Sequence, residues 1–129
     1  MSPEQLKKQA CGAIDQMADK LINASHAIHA RPEIAFEEKF AHGLLTDFVA
    51  DEGLDVTRHA CGLETAFISE FGAGEAQVGI ISEYDALPGI GHACGHNIIA
   101  TSGLGAAMAL SKSRMHNALA KRRCLLVRS

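Results

Sequence analysis

Ala76-Gln77-Val78-Gly79-Ile80-Ile81-Ser82-Glu83-Tyr84-Asp85-Ala86-Leu87-Pro88-Gly89-Ile90-Gly91-His92-Ala93-Cys94-Gly95-His96-Asn97 decides how this chain is read. Ala76 to Ile81 is a short apolar run of strand type, which meets polar groups at Ser82, Glu83 and Asp85 and stops at Pro88. In an open α/β sheet, ligands bind outside the carboxyl ends of strands, where these polar groups fall. His92, Cys94 and His96 then alternate along a glycine-flanked loop. A thiol and two imidazoles packed so closely are a donor set for a divalent metal. Asn97 can cap a helix through Ile98, Ile99, Leu104, Ala107 and Met108. Cys94 and His96 would then lie near a helix N-terminus, whose dipole favours an anionic ligand. Taken singly, these residues have ordinary readings, Cys as a small buried hydrophobe and His near a turn as a hydrogen-bonded or solvated side chain. On the residues alone, both readings stay open.

Ser2 as N-cap, Pro3 in the first turn and Gln5 as capping partner predict a first helix, with Leu6, Ala10, Ile14, Met17, Leu21 and Ile28 on its apolar face. Arg31-Pro32 breaks it. Phe36, Phe40, Leu44, Phe48 and Val49 predict a second helix ending at Gly53. Val56 to His59 and Ala66 to Phe71 read as strands, with Gly72-Ala73-Gly74 as a hairpin loop leading into the strand at Ala76. A last strand is expected over Arg123 to Arg128. Glu37-Glu38 reads as a solvated face, because adjacent helical residues point apart. His26 and His29, three apart near the Pro32 break, read as structural.

The 129 residues are 47% hydrophobic and 21% charged, enough for one core and one α/β domain. The first 85 residues hold all 15 acidic and 6 of the 12 basic residues, a net of −9; the remainder carries +6. Lys121-Arg122-Arg123 is too short and too poor in neighbouring aromatics to read as a nucleic-acid footprint. The apolar runs fall short of membrane-spanning length, and Ser2-Pro3-Glu4-Gln5 is no signal pattern, so neither nucleic acid nor membrane is expected as a partner. Cys11, Cys61, Cys94 and Cys124 are widely spaced, which fits a reducing compartment and a cytoplasmic location. Cys94 has no closely spaced partner thiol, which argues against a redox protein.

The stretch from Ser82 to Asn97 resembles the metal-site signature of the aminoacylase, carboxypeptidase and dipeptidase family of metallohydrolases, most closely its amidohydrolase branch with Xaa-Arg dipeptidase-like members. His29-Ala30-Arg31-Pro32-Glu33-Ile34-Ala35-Phe36-Glu37-Glu38 resembles the segment joining that branch's first two helices. The similarity runs from about Leu6 to about Leu110. It implies Cys94 and His96 as metal ligands and Asp85 as the carboxylate at the strand end that orients the site, while His92 matches the motif without being a ligand. Asn97 stands where much of the branch has aspartate, and there the chain resembles the dipeptidase-like subset.

The resemblance further implies a zinc-peptidase-like catalytic domain with helices packed on a mostly parallel mixed sheet. It implies zinc, with manganese or cobalt as alternatives, and small peptides or N-acyl amino acids as substrates. Metal-activated water would attack the amide carbonyl and a carboxylate base would take its proton; Cys94 is the candidate bridge between two ions by position. Homo-oligomers are implied for full-length relatives. Residues 1–129 would be the N-terminal part of the catalytic domain, with a divergent tail over about 111–129 and no lid or dimerisation domain. No Asp or Glu follows Asp85, so the family's general base is not expected within this chain, and a catalytically inactive fragment with residual metal binding is the alternative reading.

Overall fold

The computed structural model describes residues 2–72, 76–113 and 122–127. Among these residues, three α-helices, α1 (Pro3–Ala30), α2 (Lys39–Asp51) and α3 (His96–Lys112), and one short 3-10 turn (Ala60–Gly62) accompany four strands, β1 (Thr57–Arg58), β2 (Phe67–Phe71), β3 (Ala76–Ile81) and β4 (Arg122–Val127). The architecture is α/β. Ser2 and Gln5 form the expected capping box at α1, with Pro3 in its first turn.

The sheet is mixed, in the order β1-β2-β4-β3. Among the described strands β3 and β4 pair in parallel, with α3 supplying the crossover that a parallel connection needs. β1–β2 and β2–β4 are antiparallel. The expected hairpin between β2 and β3 does not form, since β4 lies between them; the loop residues Ala73 and Gly74 fall outside the described residues, as does Lys121.

The core gathers Met17, Ala24 and Ile28 of α1, Leu45, Phe48 and Val49 of α2, and Leu104, Ala107 and Met108 of α3 around Phe67 and Tyr84. Each fully buried large apolar side chain is worth about 1.5–3 kcal/mol. α1 packs chiefly on α3, and Gly105 lets them approach: a β-carbon there would stand 3.0 Å from Leu21 Cδ1 and 3.3 Å from Ile14 Cδ1.

Two local expectations change. Phe36 is not on the α2 stripe; it is exposed, at φ 68°, in the turn before the helix. α2 starts at Lys39 because the Glu33 carboxylate accepts the backbone N–H groups of Phe40 and Ala41, both at 2.9 Å, satisfying donors that an uncapped helix leaves unpaired. Glu38, expected in solvent, is fully buried.

Candidate metal centre

Beyond β3, burial alternates: Ser82, Tyr84 and Ala86 are buried, while Glu83 and Asp85 are partly exposed. Side chains that alternate along an extended chain face opposite sides, so the inward set anchors the strip and the outward set forms the site. Ser82 Oγ donates to the Ile99 carbonyl at 3.1 Å, the Tyr84 hydroxyl donates to the Thr65 carbonyl, and the Ala86 N–H donates to the Glu33 carbonyl at 2.7 Å. The chain then closes a small loop, with the Leu87 N–H donating to the Gly91 carbonyl at 2.9 Å.

Gly95 turns this loop into α3. It is the N-cap residue at φ 74°, a left-handed conformation that glycine adopts without steric cost, and it puts Cys94 and His96 on either side of the turn. Asn97 is therefore not the cap. It lies inside the first turn of α3, and its side-chain amide donates to Ser25 Oγ at 3.0 Å, tying α3 to α1.

Asp85 and His96 meet. His96 Nδ1 lies 2.9 Å from Asp85 Oδ1 and 3.0 Å from the Asp85 carbonyl oxygen. A backbone carbonyl can only accept, so Nδ1 carries a proton, and whenever the ring is neutral its lone pair is on Nε2. Nε2 lies 3.8 Å from Glu83 Oε1, beyond hydrogen-bond reach. Cys94 is an exposed free thiol two residues before His96. An imidazole nitrogen and an accessible thiol, two residues apart in sequence, are donor types that suit a borderline divalent cation such as zinc. Among the described residues, no group of three or more His, Cys, Asp or Glu side chains is gathered closely enough to hold a metal ion.

His92 is buried behind the loop, its ring stacked on His29 with centroids 6.2 Å apart. Neither ring nitrogen has a hydrogen-bond partner of good geometry, though the Ile28 backbone faces the ring as a weak acceptor. Burial, then the neighbouring His29 and His96, holds its pKa below the ordinary imidazole value. His26 and His29 are exposed, and with Ser25, Asn97 and Thr101 they line an open groove of about 830 Å³ between α1 and α3.

From the sequence, Glu83 reads only as one of the polar groups that end the strand, and Glu38 as part of a solvated face. The alternation of residues 82–86 is a signal that places Glu83 beside Asp85; nothing local marks Glu38. No helix among the described residues is long and apolar enough to cross a membrane.

No family model matches the chain. It is 45% identical over 118 residues to the Xaa-Arg dipeptidase of Mus musculus, covering 83% of this chain and 27% of that protein. It is 31% identical over 117 residues to a p-aminobenzoyl-glutamate hydrolase polypeptide of Escherichia coli, covering 78% of this chain and 24% of that protein. The fold matches a dinuclear metal binding peptidase of the M20 family from Bacillus subtilis with a TM-score of 0.75 at 23% identity, over 88% of this chain and 35% of that one. The chain thus spans about a quarter of the length of the curated relatives it matches. With the motif from Ser82 to Asn97, the extended identity to a dipeptidase and the shared α/β fold all in agreement, the chain belongs to the aminoacylase, carboxypeptidase and dipeptidase family of metallohydrolases, in the branch with the Xaa-Arg dipeptidases.

Proposed function

We propose that this chain supplies one side of a divalent-metal centre for hydrolysis of amide bonds in small peptides or N-acyl amino acids, with Cys94 and His96 as ligands and Asp85 as the carboxylate that orients His96. The observation that carries the reading is the paired contact of His96 Nδ1 with the Asp85 carboxylate and carbonyl, which leaves Nε2 as the free donor. The substrate class follows the names of the relatives, a dipeptidase and an acyl-glutamate hydrolase. A bound ion would polarise the scissile carbonyl and lower the pKa of coordinated water toward about 7. Zinc fits a thiolate and imidazole pair best, with cobalt or manganese as substitutes. Cys11, Cys61 and Cys94 are free thiols, which favours a reducing, cytoplasmic setting.

A second reading rests on donor count. Cys94 and His96 are two of the roughly four donors that a closed zinc site uses, so these 129 residues by themselves would bind metal weakly and turn over little. One experiment addresses both: zinc and cobalt titration of the chain, its Cys94→Ala and His96→Ala variants and the double variant, followed by a panel of dipeptides and N-acyl amino acids with metal added. Weak binding abolished by either substitution, with turnover near background, is expected. Tight binding that survives the double substitution sinks the ligand assignment. Robust turnover abolished by Cys94→Ala sinks the second reading alone.

A further inference from the structure

Glu38 is a carboxylate with no exposure to solvent, at the start of α2. Its Oε2 accepts the Thr65 hydroxyl at 2.7 Å, and Oε1 has no hydrogen-bond partner. His42 lies four residues on, hence on the same face of the helix, and its Nε2 lies 3.2 Å from the Ala66 carbonyl. α2 therefore grips two successive residues of the turn before β2, Thr65 through Glu38 and Ala66 through His42. The carbonyl of Thr65 is in turn the acceptor for the Tyr84 hydroxyl, and the Tyr84 ring stacks on Phe67 with centroids 6.3 Å apart.

Tyr84 stands between the two residues whose carboxylates face His96. Because neighbours in an alternating strip point opposite ways, holding Tyr84 inward fixes the outward directions of Glu83 and Asp85. We propose that Glu38 is a positioning residue for the metal-site strip: through Thr65 it holds Tyr84, and through Tyr84 it aims residues 83 and 85 at His96. The inference rests on the reading of that strip as a metal centre. The link runs through an oxygen acceptor, so a glutamine at position 38 can carry it and an alanine cannot.

The test reads His96 directly. In the ¹⁵N-labelled full chain without metal, side-chain NMR at a pH where His96 is neutral reports which ring nitrogen holds the proton. Wild type is expected to show it on Nδ1. Glu38→Ala, Thr65→Val and Tyr84→Phe should each move His96 toward the Nε2-protonated form, because the carboxylate and the carbonyl of Asp85 shift together. Glu38→Gln should keep the wild-type signature. Cobalt affinity should fall in the same order, by less than the about 10- to 100-fold that loss of a ligand's own hydrogen-bond partner costs. An unchanged His96 signature in folded Glu38→Ala overturns the proposal, as does a Glu38→Gln variant as disturbed as the alanine. If Glu38→Ala does not fold, Thr65→Val and Tyr84→Phe each remove one link by a single hydroxyl, and an unchanged signature in both overturns it equally. The tautomer is read without metal, so a chain that fails to bind cobalt refutes the metal centre and leaves the positioning result to stand or fall separately.

Discussion

Replacing Asp85 by alanine should weaken zinc binding by about tenfold without abolishing it. The Nδ1 proton of His96 is shared between the Asp85 carboxylate at 2.9 Å and the Asp85 carbonyl at 3.0 Å, and alanine removes only the first acceptor. A hydrogen bond to a charged group is worth about 1.5–3 kcal/mol and one between neutral groups about 0.5–1.5 kcal/mol. The difference, about 1–1.5 kcal/mol, is close to one decade in affinity. That places Asp85→Ala at the low end of the about 10- to 100-fold range for partners of metal-bound histidines. Asp85→Asn, whose amide oxygen can accept the same proton, should lose less. The assay is competition for zinc against a chromophoric chelator at constant pH and ionic strength, with His96→Ala as the reference for a lost ligand. Binding within twofold of wild type would refute the orienting role. A loss as complete as that of His96→Ala would show that the carbonyl contributes nothing.

Gly103→Ala should lower stability by about 1–2 kcal/mol, because the new β-carbon overlaps Ser82 Oγ and breaks its bond to the Ile99 carbonyl, outweighing alanine's advantage of about 1 kcal/mol in a helix. Urea midpoints that do not change, or a Ser82→Ala/Gly103→Ala pair no better than Gly103→Ala, would contradict this. His42 should make stability fall with acid. Burial above all, aided by His59 and Arg58, lowers its folded pKa below 6.5, so its share is intact above that value and is lost as pH drops and the unfolded chain protonates first. His42→Gln should flatten this part of the urea-midpoint profile, leaving the share of His92, whose shift has the same sign; an unaltered slope would refute it. Glu52 ties α1 to the end of α3 through Lys20, at 3.1 Å, and Lys112. Its pKa is lowered chiefly by the Lys112 hydrogen bond, so its stabilisation is present above the ordinary carboxylate value of 4.5 and fades as pH falls through the lowered folded one. Glu52→Gln should therefore cost about 1 kcal/mol near neutrality and almost nothing in strong acid, and an equal cost at both would argue against the ion pairs.

Features that short sequence patterns determine were legible. The capping box at Ser2 and Gln5 is a contact across three residues, and the β3 run from Ala76 to Ile81 needs only apolar β-formers bounded by turn residues. Asp85 and His96 share one short stretch with Cys94, and the contact between Asp85 and His96 spans only eleven residues. What stayed hidden depends on residues far apart in the chain. β4 enters between β2 and β3, and no local signal records strand order. Glu37 and Glu38 precede α2 rather than lying on it, and which one turns inward is set by Thr65, 27 residues from Glu38. Asn97 has the chemistry of a cap, yet α3 begins one residue earlier and Ser25 on α1, 72 residues away, takes its amide. The same limit applies inside the candidate centre. A Cys-Gly-His spacing serves equally with the proton on either ring nitrogen, so the motif offers candidate donors without choosing the tautomer. Asp85, eleven residues back and turned outward by an inward-held Tyr84, makes that choice and leaves Nε2 as the free donor.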